Sequence, residues 1–146
     1  MFGSPIPILV AALIPMAVGA LWYGPLFGKK WQETLGFSDE YLKQGNMAVI
    51  MGVSLLLAAL LSLSIDSYIE MTHGAQFMQH SDQIVGSFHT FGHGALHGGA
   101  FAFLSIVPVI VIKALFERRN GAYIFINVAY WLVVFALMGG VVDVWN

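Results

Sequence analysis

Three observations predict an all-α integral membrane protein, a four-helix bundle with both termini extracytoplasmic. Of the 146 residues, 58% are hydrophobic and 10% charged, whereas about a quarter of a soluble domain is charged. Four apolar segments each supply the roughly 20 residues that a helix needs to cross a hydrocarbon core of about 30 Å. All six Lys and Arg residues fall in two places along the chain.

The predicted spans are residues 5–27, 47–69, 96–116 and 122–144 of a single transmembrane domain, residues 1–146. The N-terminal run has no basic residue ahead of its apolar core and its lysines follow it, so it reads as a retained helix rather than a signal peptide. Its end is expected at Gly24-Pro25, because glycine suits a helix C-terminus and proline cannot continue one. Pro15 and Pro108 lie inside spans, where each removes a backbone donor and kinks its helix. In the first connection, Ser38 is placed to cap a short surface helix that Gly45-Asn46 then breaks. Trp22, Tyr23 and Trp31 flank the inner end of the first span as an interfacial aromatic belt.

Orientation follows from the basic residues. Lys29, Lys30 and Lys43 lie in the first connection, and Lys113, Arg118 and Arg119 lie around the third. Cytoplasmic loops carry the Lys/Arg excess, so these connections are expected inside and the termini and the middle connection outside. A net charge of −2 with so few basic residues gives no nucleic-acid surface. Without cysteine there is no disulfide framework, thiolate metal site or cysteine nucleophile. No repeat, low-complexity tract or second domain is apparent.

The run WYGPLFGKKW after the first span, LFERRN closing the third, INVAYW opening the fourth and LMGGVVDVW at the end together resemble the family grouped as domain of unknown function 1761. The likeness runs through nearly the whole chain in the right order. It implies a four-helix protein of the bacterial cytoplasmic membrane. It brings no activity, substrate or catalytic residue, and the histidine-rich stretch is not typical of it.

That stretch, SFHTFGHGALHGG, spaces His89, His93 and His97 four residues apart. If the third helix extends outward through Ser87, the three imidazoles occupy an arc of roughly 80° on one face. Counted at 1.5 Å per residue from the cytoplasmic ends, Asp66 and His97 lie about 28 Å up and Asp143 about 32 Å, so three helices bring titratable groups to the outer interface. Asp66 and Glu70 share the i, i+4 spacing and form a carboxylate pair able to face the imidazoles. Imidazole with carboxylate suits a divalent transition metal such as Zn, Fe, Ni or Cu. A proton-responsive role is the variant of this reading, since imidazole titrates near neutral pH. The opposing reading is an interfacial polar face broken by glycines. Bis-histidine haem ligation would need a second helix from another subunit. Met71, Met78, His73 and His80 in the outer connection offer copper(I) ligands or, more simply, apolar contacts.

Two features point to packing. Gly94 and Gly98 fit a GxxxG pattern that lets helix backbones approach closely, within one chain or between two. Asn127, Tyr130 and Trp131 share a face of the fourth span, about 13 Å from its cytoplasmic end at Trp131, where they serve interhelical hydrogen bonding or line a small amphipathic cavity. No acid or base lies in the middle of any span, contrary to what ion-coupled transport by a small multidrug exporter needs. The expected role is therefore a non-enzymatic binding or accessory protein in the lipid bilayer, with a possible homo-oligomer or membrane-protein partner and an outer His/carboxylate site. The alternatives are a structural or assembly subunit and, last, a membrane metalloenzyme.

Overall fold

The computed structural model describes residues 5–77 and 89–145, with residues 73–77 described by their backbone alone. Every regular element among them is helical. Four stretches are long and apolar enough to cross a membrane: Ile6–Leu26, Met47–Thr72, Phe91–Phe116 and Gly121–Val144.

The first stretch is built from α1 (Ile6–Ala12), α2 (Ile14–Leu21) and a π-helical turn, Trp22–Leu26. Pro15 has no N–H to extend α1, and the junction tightens locally: the Leu13 N–H bonds to the Val10 carbonyl at 3.1 Å. At Gly24-Pro25 the chain kinks rather than stops. Gly24 takes a non-helical backbone (φ −101°, ψ −108°), and the Phe27 N–H reaches back to the Trp22 carbonyl at 2.8 Å. Two short helices follow, α3 (Gly28–Leu35) and α4 (Asp39–Lys43). Gly36 closes α3 in the left-handed region at φ 70°, and the Ser38 hydroxyl caps α4 by accepting from the Tyr41 N–H.

The second stretch lies in α5 (Met47–Phe77). The third comprises α6 (Phe91–Phe101), a π-helical turn (Ala102–Ile106) and α7 (Val107–Phe116). The fourth is α8 (Gly121–Val144). The wider turn directly precedes Pro108, where it absorbs the ring and the missing donor. Asn120 caps α8 by accepting from the Tyr123 N–H.

Helix α8 touches α1, α2, α3, α5, α6 and α7. It buries Ile126, Tyr130, Val134, Met138 and Val142 at intervals of four residues, with Phe135 beside them. Helix α5 contributes Ala58, Ser62, Ile65 and Ile69. Its N-terminal part, from Met47 to Leu57, is exposed except for half-buried Ser54. Such an apolar, uncovered surface is stable in a bilayer and not in water.

Candidate functional site

The third long stretch begins five residues earlier than residue 96. Thr90 is extended (φ −128°, ψ 154°), and its hydroxyl accepts the His93 N–H at 3.2 Å, which starts α6 at Phe91. His89 therefore precedes the helix and is not the first rung of a helical ladder. Ser87, through which that ladder was expected to extend, lies outside the described residues. His93 and His97 do occupy successive turns, with ring centroids 4.6 Å apart.

Although it comes from an extended segment, His89 reaches the same partner as His93. Its Nδ1 lies 3.0 Å from Oδ1 of Asp143, and the His93 Nδ1 lies 2.8 Å from Oδ2. The Asp143 side chain is 0% exposed, against 40% for His89 and 21% for His93. A carboxylate so buried needs hydrogen-bond donors to be tolerable. Where the carboxyl is ionised it only accepts, and each Nδ1 is then the donor, with the lone pair of a neutral ring on Nε2.

Glycine makes this approach possible. A Cβ on Gly94 would meet the Gly139 carbonyl and the Cβ of Asp143, and one on Gly98 would meet the Phe135 carbonyl. The ring of Phe91 lies over Gly140, where an added Cβ would fall 2.6 Å from it. The first turns of α6 thus lie directly on the last turns of α8, backbone on backbone. Asp143 sits at the C-terminal end of its own helix, where a negative charge is disfavoured, but beside the N-terminal end of α6, where it is favoured.

The other candidates are distributed around this point. His97 packs edge-on to Tyr68 of α5, 6.1 Å between centroids. Asp66 is half-buried on α5, and Glu70 is exposed there without an ion pair among the described residues. The carboxylate of Asp143 reaches two of the imidazoles, those of His89 and His93. Among the described residues, no three His, Asp or Glu side chains converge as ligands on one point. Met71 is exposed on α5. Met78, His80 and the side chain of His73 lie outside the described residues.

A second polar group braces the N-terminal half of α8. The Tyr23 hydroxyl donates to Asn127 Oδ1 at 3.0 Å, and Asn127 Nδ2 donates to the Tyr123 carbonyl at 2.8 Å. The Trp22 indole donates to the Ile126 carbonyl at 3.0 Å, and the Tyr130 hydroxyl donates to the Pro15 carbonyl at 2.9 Å. These bonds tie the kinked first stretch to α8. Trp131 packs edge-on against Tyr130 and Phe135 and, with Leu61, Ile106, Val109 and Ile110, lines a shallow apolar recess of about 270 Å³.

Sequence counting placed Asp143 at the height of the histidines without pairing it to them. The available signal was the match between Gly94-Ala-Leu-His-Gly98 and Gly139-Gly140. Two antiparallel helices docked through these glycines bring His93 and Asp143 to one point.

The family model described as "Protein of unknown function (DUF1761)" matches residues 6–142. No curated protein and no solved structure matches the chain.

Proposed function

The chain belongs to the DUF1761 family, whose description assigns no activity, and from that premise we propose that it is a membrane binding or accessory protein with a metal site at its extracytoplasmic end. The observation that carries this reading is the pair of imidazoles, His89 and His93, held on the two oxygens of one fully buried carboxylate, Asp143. The fourfold step that brings His97 beside His93 supplies a third ring at the same level. The distribution of Lys and Arg supports the N-out, C-out topology that we assign within a bacterial cytoplasmic membrane, and with that topology this end is extracytoplasmic.

Metal analysis of the detergent-purified protein, metal-free and metal-supplemented, beside a variant with His89, His93 and His97 all changed to Ala, tests the reading. Near-stoichiometric metal in the parent and none in the variant is the expected result. Equal loading of both, or metal in neither, overturns it.

The rival reading is an assembly subunit that docks a partner through Gly94 and Gly98. Those glycines are already covered by the backbone of α8, so such a partner would have to use another face.

A further inference from the structure

We propose that the end of the bundle formed by α3, α4 and the α7–α8 turn is a docking surface for anionic phospholipid headgroups, carried by Lys29, Lys43 and Arg118, each beside an exposed apolar side chain. The proposal is independent of the metal reading and concerns the opposite end of α8.

These elements share one end of the bundle. The Trp22 indole and the Tyr23 hydroxyl, at the close of the first stretch, bond to Ile126 and Asn127 in the N-terminal turns of α8, and α3 touches α8 directly. All six Lys and Arg residues of the chain lie here, with the carboxylates Glu33, Asp39, Glu40 and Glu117. Three of the cations are already engaged: Lys30 with Glu33 at 3.0 Å, Lys113 with Glu117 at 3.7 Å and Arg119 with Glu117 at 3.2 Å. Asp39 accepts from Gln32 at 3.0 Å. Lys29, Lys43 and Arg118 are exposed and make no ion pair among the described residues.

The neighbours of these three cations favour lipid over a soluble anion. Leu26 is 62% exposed three residues before Lys29, Tyr41 is 56% exposed two before Lys43, and Phe116 is 86% exposed two before Arg118. Leu26 and Phe116 are the last residues of two membrane-length stretches, and Lys43 lies just ahead of Met47, the first residue of another. At such a boundary an apolar side chain enters the acyl region while the adjacent cation meets the phosphates. Arg118 closes α7 in the left-handed region, φ 55°, where glycine is usual, and the Arg119 N–H bonds back to the Ala114 carbonyl at 2.9 Å. The backbone there is fixed, and the guanidinium offers its forked donors to phosphate oxygens. With no Lys or Arg elsewhere in the chain, the preference is confined to one leaflet.

The full chain reconstituted in phosphatidylcholine vesicles containing phosphatidylglycerol provides the test. Spin-labelled forms of the two lipids, matched in acyl chain, report their relative association with the protein. One cation at the membrane surface corresponds to a preference of about fivefold for an anionic headgroup, so the parent should favour phosphatidylglycerol by about that factor at low salt. At about 1 M NaCl, where the Debye length is about 3 Å, most of the preference should vanish. The triple variant Lys29→Gln, Lys43→Gln, Arg118→Gln should associate with both lipids equally, whereas Lys29→Arg, Lys43→Arg, Arg118→Lys, which keeps the charges, should behave as the parent. Excess glycerol phosphate should not compete, since it has no acyl chain to place beside Leu26, Tyr41 and Phe116. Helical circular dichroism shows that each variant is folded. A parent without the preference, a triple Gln variant that retains it, loss in the charge-keeping variant as well, or full competition by glycerol phosphate would each overturn the proposal.

Discussion

Replacing Gly98 with Ala adds a single methyl group where α6 crosses α8, and the structure sets what that methyl meets. The new Cβ would lie on the Phe135 carbonyl oxygen, 2.9 Å from its carbonyl carbon and 3.2 Å from the Gly139 Cα. Ordinary contact begins at 3.4 Å and the carbonyl oxygen is the nearest atom, so α6 must retreat by about an ångström, on the order of a packing-disrupting shift, along a line where it meets backbone rather than a rotatable side chain. Overpacking of this kind costs about 1–3 kcal/mol, and an unyielding backbone puts Gly98→Ala at the upper end. Gly52 supplies the control. It is exposed in the second turn of α5 with no heavy atom within 4 Å of an added Cβ, so Gly52→Ala should stabilise the helix by about 0.5–1 kcal/mol. The two substitutions are chemically identical and should differ by about 2–4 kcal/mol. Reversible unfolding by a denaturing detergent, followed by circular dichroism and tryptophan fluorescence, measures the difference. Equal stability of the two variants would refute the close approach of α6 to α8.

Between the first stretch and α8, Tyr130→Phe removes the hydroxyl that donates to the Pro15 carbonyl and should destabilise by about 0.6 kcal/mol, the average for an interhelical hydrogen bond in a membrane; no change in the same unfolding assay would assign the carbonyl another donor. Orientation can be read by labelling, because the chain has no cysteine. A membrane-impermeant thiol reagent should modify Trp145→Cys in intact cells and Ser38→Cys only after permeabilisation, and the reverse pattern would invert the proposed topology.

Hydropathy made the four long helices legible, because the apolar runs are long and the charged residues sparse. Helix starts depend instead on single side chains. The apolar run of the third stretch begins at Leu96, but Thr90 starts the helix by accepting the His93 N–H, so the glycine- and histidine-rich turns at Phe91–Ala95 are helical despite their composition. Height above the inner face was legible from the 1.5 Å rise, which placed Asp143 near the histidines. Azimuth was not. A membrane helix is apolar on almost every side, so its sequence carries little of the periodicity that tells a buried face from a lipid-facing one. That is why the sequence placed Asp143 at the height of the histidines without showing that it faces His89 and His93. Ser62 illustrates the same loss of signal: it is fully buried, with no hydrogen-bond partner for its hydroxyl among the described residues, yet nothing in LLSLS distinguishes it from Ser64, whose hydroxyl bonds to the Leu60 carbonyl at 2.8 Å.

Packing and polar chemistry at the outer end depend on one geometry. Burying a carboxylate among apolar side chains is costly unless donors reach both of its oxygens. His93 reaches Oδ2 only because α6 lies on α8 at a distance that excludes a Cβ at Gly94. Gly94 touches Gly139 on one side and the Cβ of Asp143 on the other, so the small residues that dock the helices also position the carboxylate. A leucine-lined interface at ordinary separation would hold the helices together just as firmly. It would leave Asp143 beyond the reach of an imidazole on the neighbouring turn. The glycines therefore do more than permit packing: they set the separation at which a histidine on one helix comes within hydrogen-bonding distance of an aspartate on the other.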